Sequence, residues 1–224
     1  MKIKIRKNLL FLSFGLLMTF VITTAGLASD RNSFLYGIDM PDVMISGNIE
    51  YKAFFIYLSK FFPIWFATGL YIDMTMKNKK VELIRCHTYS RWFMRLITGL
   101  AVIFVGTSAA FAAVFMLAGG AHIGELFFVT MAHGLLMTAF YLLVRVMTGR
   151  AVLSVMILLF FETFTFVIGE SKGIARYMPV CWGMQVRAAQ WDNLTVITSI
   201  SFVAAVVMTA AAYSIVKFRR KENE

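Results

Sequence analysis

"KNKKVELIRCHTYSRWFMRLI", Lys77–Ile97, sets six basic residues between two long apolar runs. A polar connection between membrane spans is ordinarily short and featureless. This one carries a helical pattern: Val81, Ile84, Tyr89, Trp92 with its neighbour Phe93, and Leu96 recur at spacings of three to five, with Arg85, Arg91 and Arg95 between them. The pattern predicts a helix lying along a membrane surface. Its apolar side chains would face lipid and its arginines phosphate or a protein partner. A plain interfacial anchor and a docking helix fit that pattern equally well.

The flanking composition fixes the class. Of 224 residues, 59% are hydrophobic and only 15% charged, with a mean hydropathy of +0.74. A water-soluble domain of that composition would precipitate, so the chain is read as an integral membrane protein. The net charge of +10 does not point to nucleic acid, because the basic residues sit at the ends of apolar runs rather than on a solvated domain.

Six runs approach the roughly 20 apolar residues that a helix needs to cross a bilayer. They are Leu9–Ala28, Ala53–Asp73, Leu96–Ala118, Glu125–Met147, Ala151–Gly169 and Thr195–Val216. Backbone polar groups in hydrocarbon must be satisfied within the segment, so each is predicted to be a helix. The connections leave no room for a soluble domain, and 1–224 reads as a single all-α transmembrane domain. Sixteen of the 22 Lys and Arg fall on one side of this topology. Positive residues mark the cytoplasmic side, which puts both termini and the Lys77–Ile97 loop inside and 29–52, 119–124 and 170–194 outside. The N-terminus also reads as a signal peptide ending at Ala28. Its apolar run is long for that role, and it is taken as the first span.

Ionisable residues inside spans are costly, about 2.5–3.5 kcal/mol each on insertion scales, and so mark partners or cavities. There are three: Lys60 on span two, His133 on span four and Glu162 on span five. At about 1.5 Å per residue all three lie roughly 10–12 Å below the outer surface. Equal depth suits a Lys60–Glu162 pair. Snorkelling of Lys60 to the headgroups is the alternative, and His133, beside Gly134, also reads as a packing residue hydrogen-bonded to a neighbouring helix. Pro63 is expected to kink span two next to Lys60.

The outer stretch "GESKGIARYMPVCWGMQVRAAQWDN", Gly169–Asn193, holds Pro179, Trp182, Met184, Arg187 and Trp191. Aromatic residues and Met suit an apolar environment, so short interfacial or re-entrant helices at the outer headgroup level are expected. Cys86 and Cys181 fall on opposite sides of the membrane and read as free thiols; no Cys/His cluster suggests a metal. The chain carries no Gly-x-x-x-x-Gly-Lys-Ser/Thr loop, no His-Glu-x-x-His and no Gly-x-Ser-x-Gly. Catalysis by this chain is not expected.

The six-span topology, the "LIRCHTYSRWFMRLI" segment after span two and the "RYMPVCWGMQVRA" run between spans five and six resemble the ABC-2-type permeases. They are most similar to small ones associated with lantibiotic and bacteriocin export or self-protection. The resemblance implies a permease subunit of an ATP-driven exporter in the bacterial cell membrane. It implies a coupling helix that docks into a separate ATPase carrying ATP and Mg, with Arg85, Tyr89, Arg91 and Trp92 at the contact. Spans two and five would line a translocation path holding Lys60, Glu162 and His133, and a second permease subunit, identical or paralogous, would complete it. Pro179, Trp182, Met184 and Arg187 would belong to the family's outer helical element. A membrane immunity protein that binds a membrane-active peptide without moving it is the other reading.

Overall fold

The computed structural model describes residues 2–38, 51–117, 123–172, 174–185, 187 and 194–221. Among these every regular element is helical. In chain order they are α1 (Lys2–Ser29), α2 (Arg31–Tyr36), α3 (Tyr51–Ser59), α4 (Phe62–Lys77), α5 (Lys79–Cys86), α6 (Tyr89–Leu117), α7 (Ile123–Thr148) and α8 (Ala151–Lys172). A 3₁₀ turn (Ala175–Tyr177), α9 (Pro179–Trp182) and α10 (Leu194–Lys221) follow. Five of them (α1, α6, α7, α8 and α10) are long and apolar enough to cross a membrane, and the bent pair α3–α4 makes a sixth if counted as one span.

The bend in that pair is 55° and falls at Lys60–Phe61. Its cause is local. Pro63, in the first turn of α4, has no N–H to continue a ladder from α3. The last turn of α3 tightens instead, with the N–H groups of Lys60 and Phe61 donating to the Tyr57 and Leu58 carbonyls three residues back. The expected kink is present, and it turns Lys60 into the protein.

The Lys77–Ile97 segment is not one helix. α4 continues to Lys77, and α5 is a separate two-turn helix that ends where His87 takes a left-handed conformation, φ 59°. The His87 N–H closes on the Leu83 carbonyl at 2.9 Å, a helix-stopping geometry. Thr88 then caps α6, accepting from the Arg91 N–H at 3.4 Å. Tyr89, Arg91 and Trp92 therefore form the first turn of a membrane-length helix rather than part of a surface helix.

α7 is the most enclosed span and the hub: α10, α8 and α4 all pack on it. α1 packs against α6 and α4 on the other flank. The α1–α6 crossing is close because glycines face it; the Gly15 and Gly106 α-carbons meet the Thr107 and Leu12 side chains with no room for a methyl group. α10 is the least enclosed span, with Val203, Val206 and Val207 more than half exposed. The α4–α5 and α7–α8 junctions and the end of α10 gather at one end of the bundle, where Lys77, Lys79, Arg145 and Val216 surround a common cavity.

Candidate functional site

Lys60, His133 and Glu162, the ionisable residues expected deep within the spans, lie in one buried layer. His133 is 1% exposed, Lys60 and Glu162 0%. His133 Nε2 stands 3.1 Å from Glu162 Oε1, joining α7 to α8 by an ion pair when the ring is protonated. The approach is out of line for a directed hydrogen bond, and neither ring nitrogen nor carboxylate oxygen has another hydrogen-bond partner among the described residues. Such a pair is held by proximity rather than by a directed hydrogen bond.

Lys60 does not pair with Glu162, nor does it snorkel. The 55° break aims its ammonium inward, where it donates to the Leu35 carbonyl at 3.3 Å and lies 4.4 Å from the Tyr57 ring centre and 5.1 Å from that of Phe61. These contacts replace part of the lost hydration through the ring quadrupoles. Phe61 in turn meets the His133 ring edge-to-face at 4.7 Å, so the three groups share a layer through aromatic rings. Matched depth was legible in the sequence. The partner was not, because nothing in the sequence marks α2 as the lid over Lys60.

The Pro179–Gln185 stretch packs into this layer. Val180, Cys181 and Met184 are fully buried, and Trp182 is half-buried, its indole N–H donating to the Arg176 carbonyl at 2.8 Å. Pro179 opens α9. The approach depends on Gly183: a Cβ there would stand 2.7 Å from His133 Cγ and nearer still to the Tyr57 hydroxyl. That hydroxyl donates to the Val180 carbonyl at 3.3 Å. Arg187 is fully buried, donating from Nε to the Ile38 carbonyl at 2.9 Å and lying over the Phe166 ring. Two buried cations from different elements thus grip the 31–38 segment. Gly37, at φ 91°, packs directly on Met184.

At the other end of the bundle Arg85 and Arg91 are exposed and Tyr89 is half-buried. Trp92 is not a membrane-surface anchor. It is fully enclosed, in a core with Cys86, Leu96 and Tyr71, because α6 begins at Tyr89 and turns the indole inward. Lys79 lies over the Tyr89 and Trp92 rings at 5.2 and 5.7 Å.

A second polar cluster escaped sequence reasoning. Asp73 on α4 accepts from the Tyr141 hydroxyl at 2.8 Å and from Arg145 Nε, tying α4 to α7. The available signal was the four-residue spacing of Tyr141 and Arg145, which puts both on one face of α7. Cys86 and Cys181 are free thiols, buried at different places in the fold, and among the described residues no cluster of three metal-ligating side chains occurs. No protein-family model, curated protein or solved structure matches the chain.

Proposed function

We propose that this chain is the membrane-spanning permease subunit of an ATP-driven exporter of ABC-2 type. In this reading it resides in the bacterial cytoplasmic membrane with both termini inside. It moves a hydrophobic or amphipathic peptide of the bacteriocin or lantibiotic kind, with ATP and Mg²⁺ held by a separate ATPase and a second permease subunit completing the path. The observation that carries this reading is the two-turn helix α5. It follows the second span at the basic end of the bundle and presents Arg85 to solvent, and Arg91 in the first turn of the following helix α6 is exposed too. A polar helical knuckle at that position suits docking against a soluble motor.

The enclosed Lys60–His133–Glu162 layer favours a second reading. Within one chain these residues are sealed by the 31–38 segment and by the Cys181–Met184 turn, which keeps them off any open path through a single chain and suits a protein that does not conduct. As permease, the chain must open this layer on pairing with its second subunit; as immunity protein, it need not.

Purification from native membranes in mild detergent decides between them. Co-purification of an ATPase, lost when Arg85 and Arg91 are both changed to Glu, supports the transporter. Retention of a membrane-active peptide with no ATPase present supports sequestration and overturns the permease assignment.

A further inference from the structure

Two cavities of different chemistry meet at Asp73. Between α4 and α8 an apolar slot of about 210 Å³ runs past Phe62, Trp65, Gly69 and Leu158 and ends on Asp73 and Tyr141. Asp73 also lines a wider cavity of about 440 Å³ at the basic end of the bundle, walled by Lys77, Lys79 and Arg145. The Asp73 carboxylate is engaged by Tyr141 and Arg145, so the wider cavity keeps an excess of positive charge. The slot is almost purely apolar.

We propose that the two cavities together bind one anionic phospholipid of the surrounding membrane, its phosphate among Lys77, Lys79 and Arg145 and one acyl chain along the α4–α8 slot. Three observations argue for this occupant. The charge complements a phosphate, and basic pockets between membrane helices on one face of a bilayer favour anionic headgroups. Phe62 to Asp73 spans about 16 Å of helix at roughly 1.5 Å per residue, close to half of a hydrocarbon core about 30 Å thick. The basic cavity also opens at the end of the slot where a lipid headgroup would stand. A cationic amphiphile would be repelled there, and a free phosphate would leave the slot unused. The site does not depend on whether the chain transports anything.

Brominated acyl chains quench indole fluorescence on contact, and Trp65 lines the slot. The full chain is reconstituted in nanodiscs of phosphatidylcholine containing a small fraction of either brominated phosphatidylglycerol or brominated phosphatidylcholine. Saturable quenching by the phosphatidylglycerol, exceeding that by phosphatidylcholine at equal fraction, is expected. Lys77→Gln should weaken the preference about fivefold and the Lys77→Gln, Lys79→Gln double variant further still. Gly69→Leu should fill the slot and remove the saturable, phosphatidylglycerol-selective part of the quenching that Trp65 reports, leaving the part due to the chain's other three tryptophans. Equal quenching by both lipids overturns the headgroup assignment, and so does a preference unaltered in the double lysine variant. Competition by millimolar inorganic phosphate would make this a soluble-anion site instead, also overturning the proposal. Undiminished quenching in a folded Gly69→Leu protein removes the tail from the slot; if that variant does not fold, the lysine variants decide alone.

Discussion

His133 and Glu162 face each other across the α7–α8 interface at 3.1 Å, each inaccessible to solvent. The asymmetry of buried charge pairs gives the first prediction. Removing one partner strands the other: with the ring protonated, His133→Ala should destabilise by about 3–5 kcal/mol, whereas His133→Leu with Glu162→Leu should cost far less or nothing. Denaturant unfolding in detergent followed by helix content measures both. Equal destabilisation by the single and double changes would show that the pair is not coupled.

Gly183 sets how deeply the outer element sits on that pair. A methyl group there meets His133 and Tyr57 at overlapping distance, so Gly183→Ala should lift the Cys181–Met184 turn at a cost of about 1–3 kcal/mol. Cys181 is fully buried in the native fold. Its labelling by a maleimide should therefore be slow in the native protein and fast in the variant. Unchanged labelling would mean the layer absorbs the methyl group without opening.

The α4–α7 clasp should behave as a coupled unit. Asp73→Asn, Arg145→Met and the double change form a thermodynamic cycle whose interaction energy is expected at about 1.5–3 kcal/mol, the range for hydrogen bonds to charged groups. Tyr141→Phe should remove a smaller share. An additive cycle would reduce the clasp to proximity.

Asp30 caps α2, accepting from the Ser33 hydroxyl at 2.6 Å and the Ser33 N–H at 3.1 Å. The Ser33 side-chain hydrogen bond chiefly holds its carboxyl below the ordinary aspartate value of 3.8. Because the folded-state value is depressed, the cap's contribution is complete above the unfolded value, near pH 4, and is lost as pH falls through the lower folded value. Asp30→Ala should cost about 1 kcal/mol at neutral pH. The difference between native protein and variant should shrink below pH 4, as unfolding at pH 7 and pH 3 would reveal.

Trp92 and Arg91 are neighbours with opposite surroundings, and their substitutions should separate accordingly. Trp92→Ala leaves a core cavity and should cost about 3–5 kcal/mol in the chain's own stability, with Trp92→Phe much milder. Arg91→Ala, at an exposed site, should leave unfolding unchanged and, on the proposed permease reading, weaken ATPase co-purification in a salt-dependent way. If Arg91→Ala destabilises as much as Trp92→Ala, the surface assignment of Arg91 is wrong.

What could be read from the sequence followed from properties that short stretches carry by themselves. Apolar length marked the spans, Pro63 marked the bend, and counting residues along helices put His133 and Glu162 at one depth. What could not be read depends on contacts between distant segments. Lys60 finds the Leu35 carbonyl 25 positions away and Asp73 finds Arg145 72 positions away, and no periodicity reports either. Trp92 was misplaced for a related reason: "CHTY" stops one helix and starts another, and a regular apolar spacing runs through that break without registering it.

The break at Lys60–Phe61 also constrains how the protein is made. Its two pieces, nine and 16 residues long, each fall short of the roughly 20 that cross a bilayer unaided. Neither can be released alone from the insertion machinery into lipid as a stable crossing; they must be held until both have emerged from the ribosome. Lys60 sits at their joint. The Leu35 carbonyl and the Tyr57 and Phe61 rings already exist at that moment, but the His133, Glu162 and Gly183 layer that seals them is still untranslated. If the bent pair makes one crossing, that crossing is inserted before its surroundings are complete, and its final settling waits on the synthesis of α7, α8 and α9.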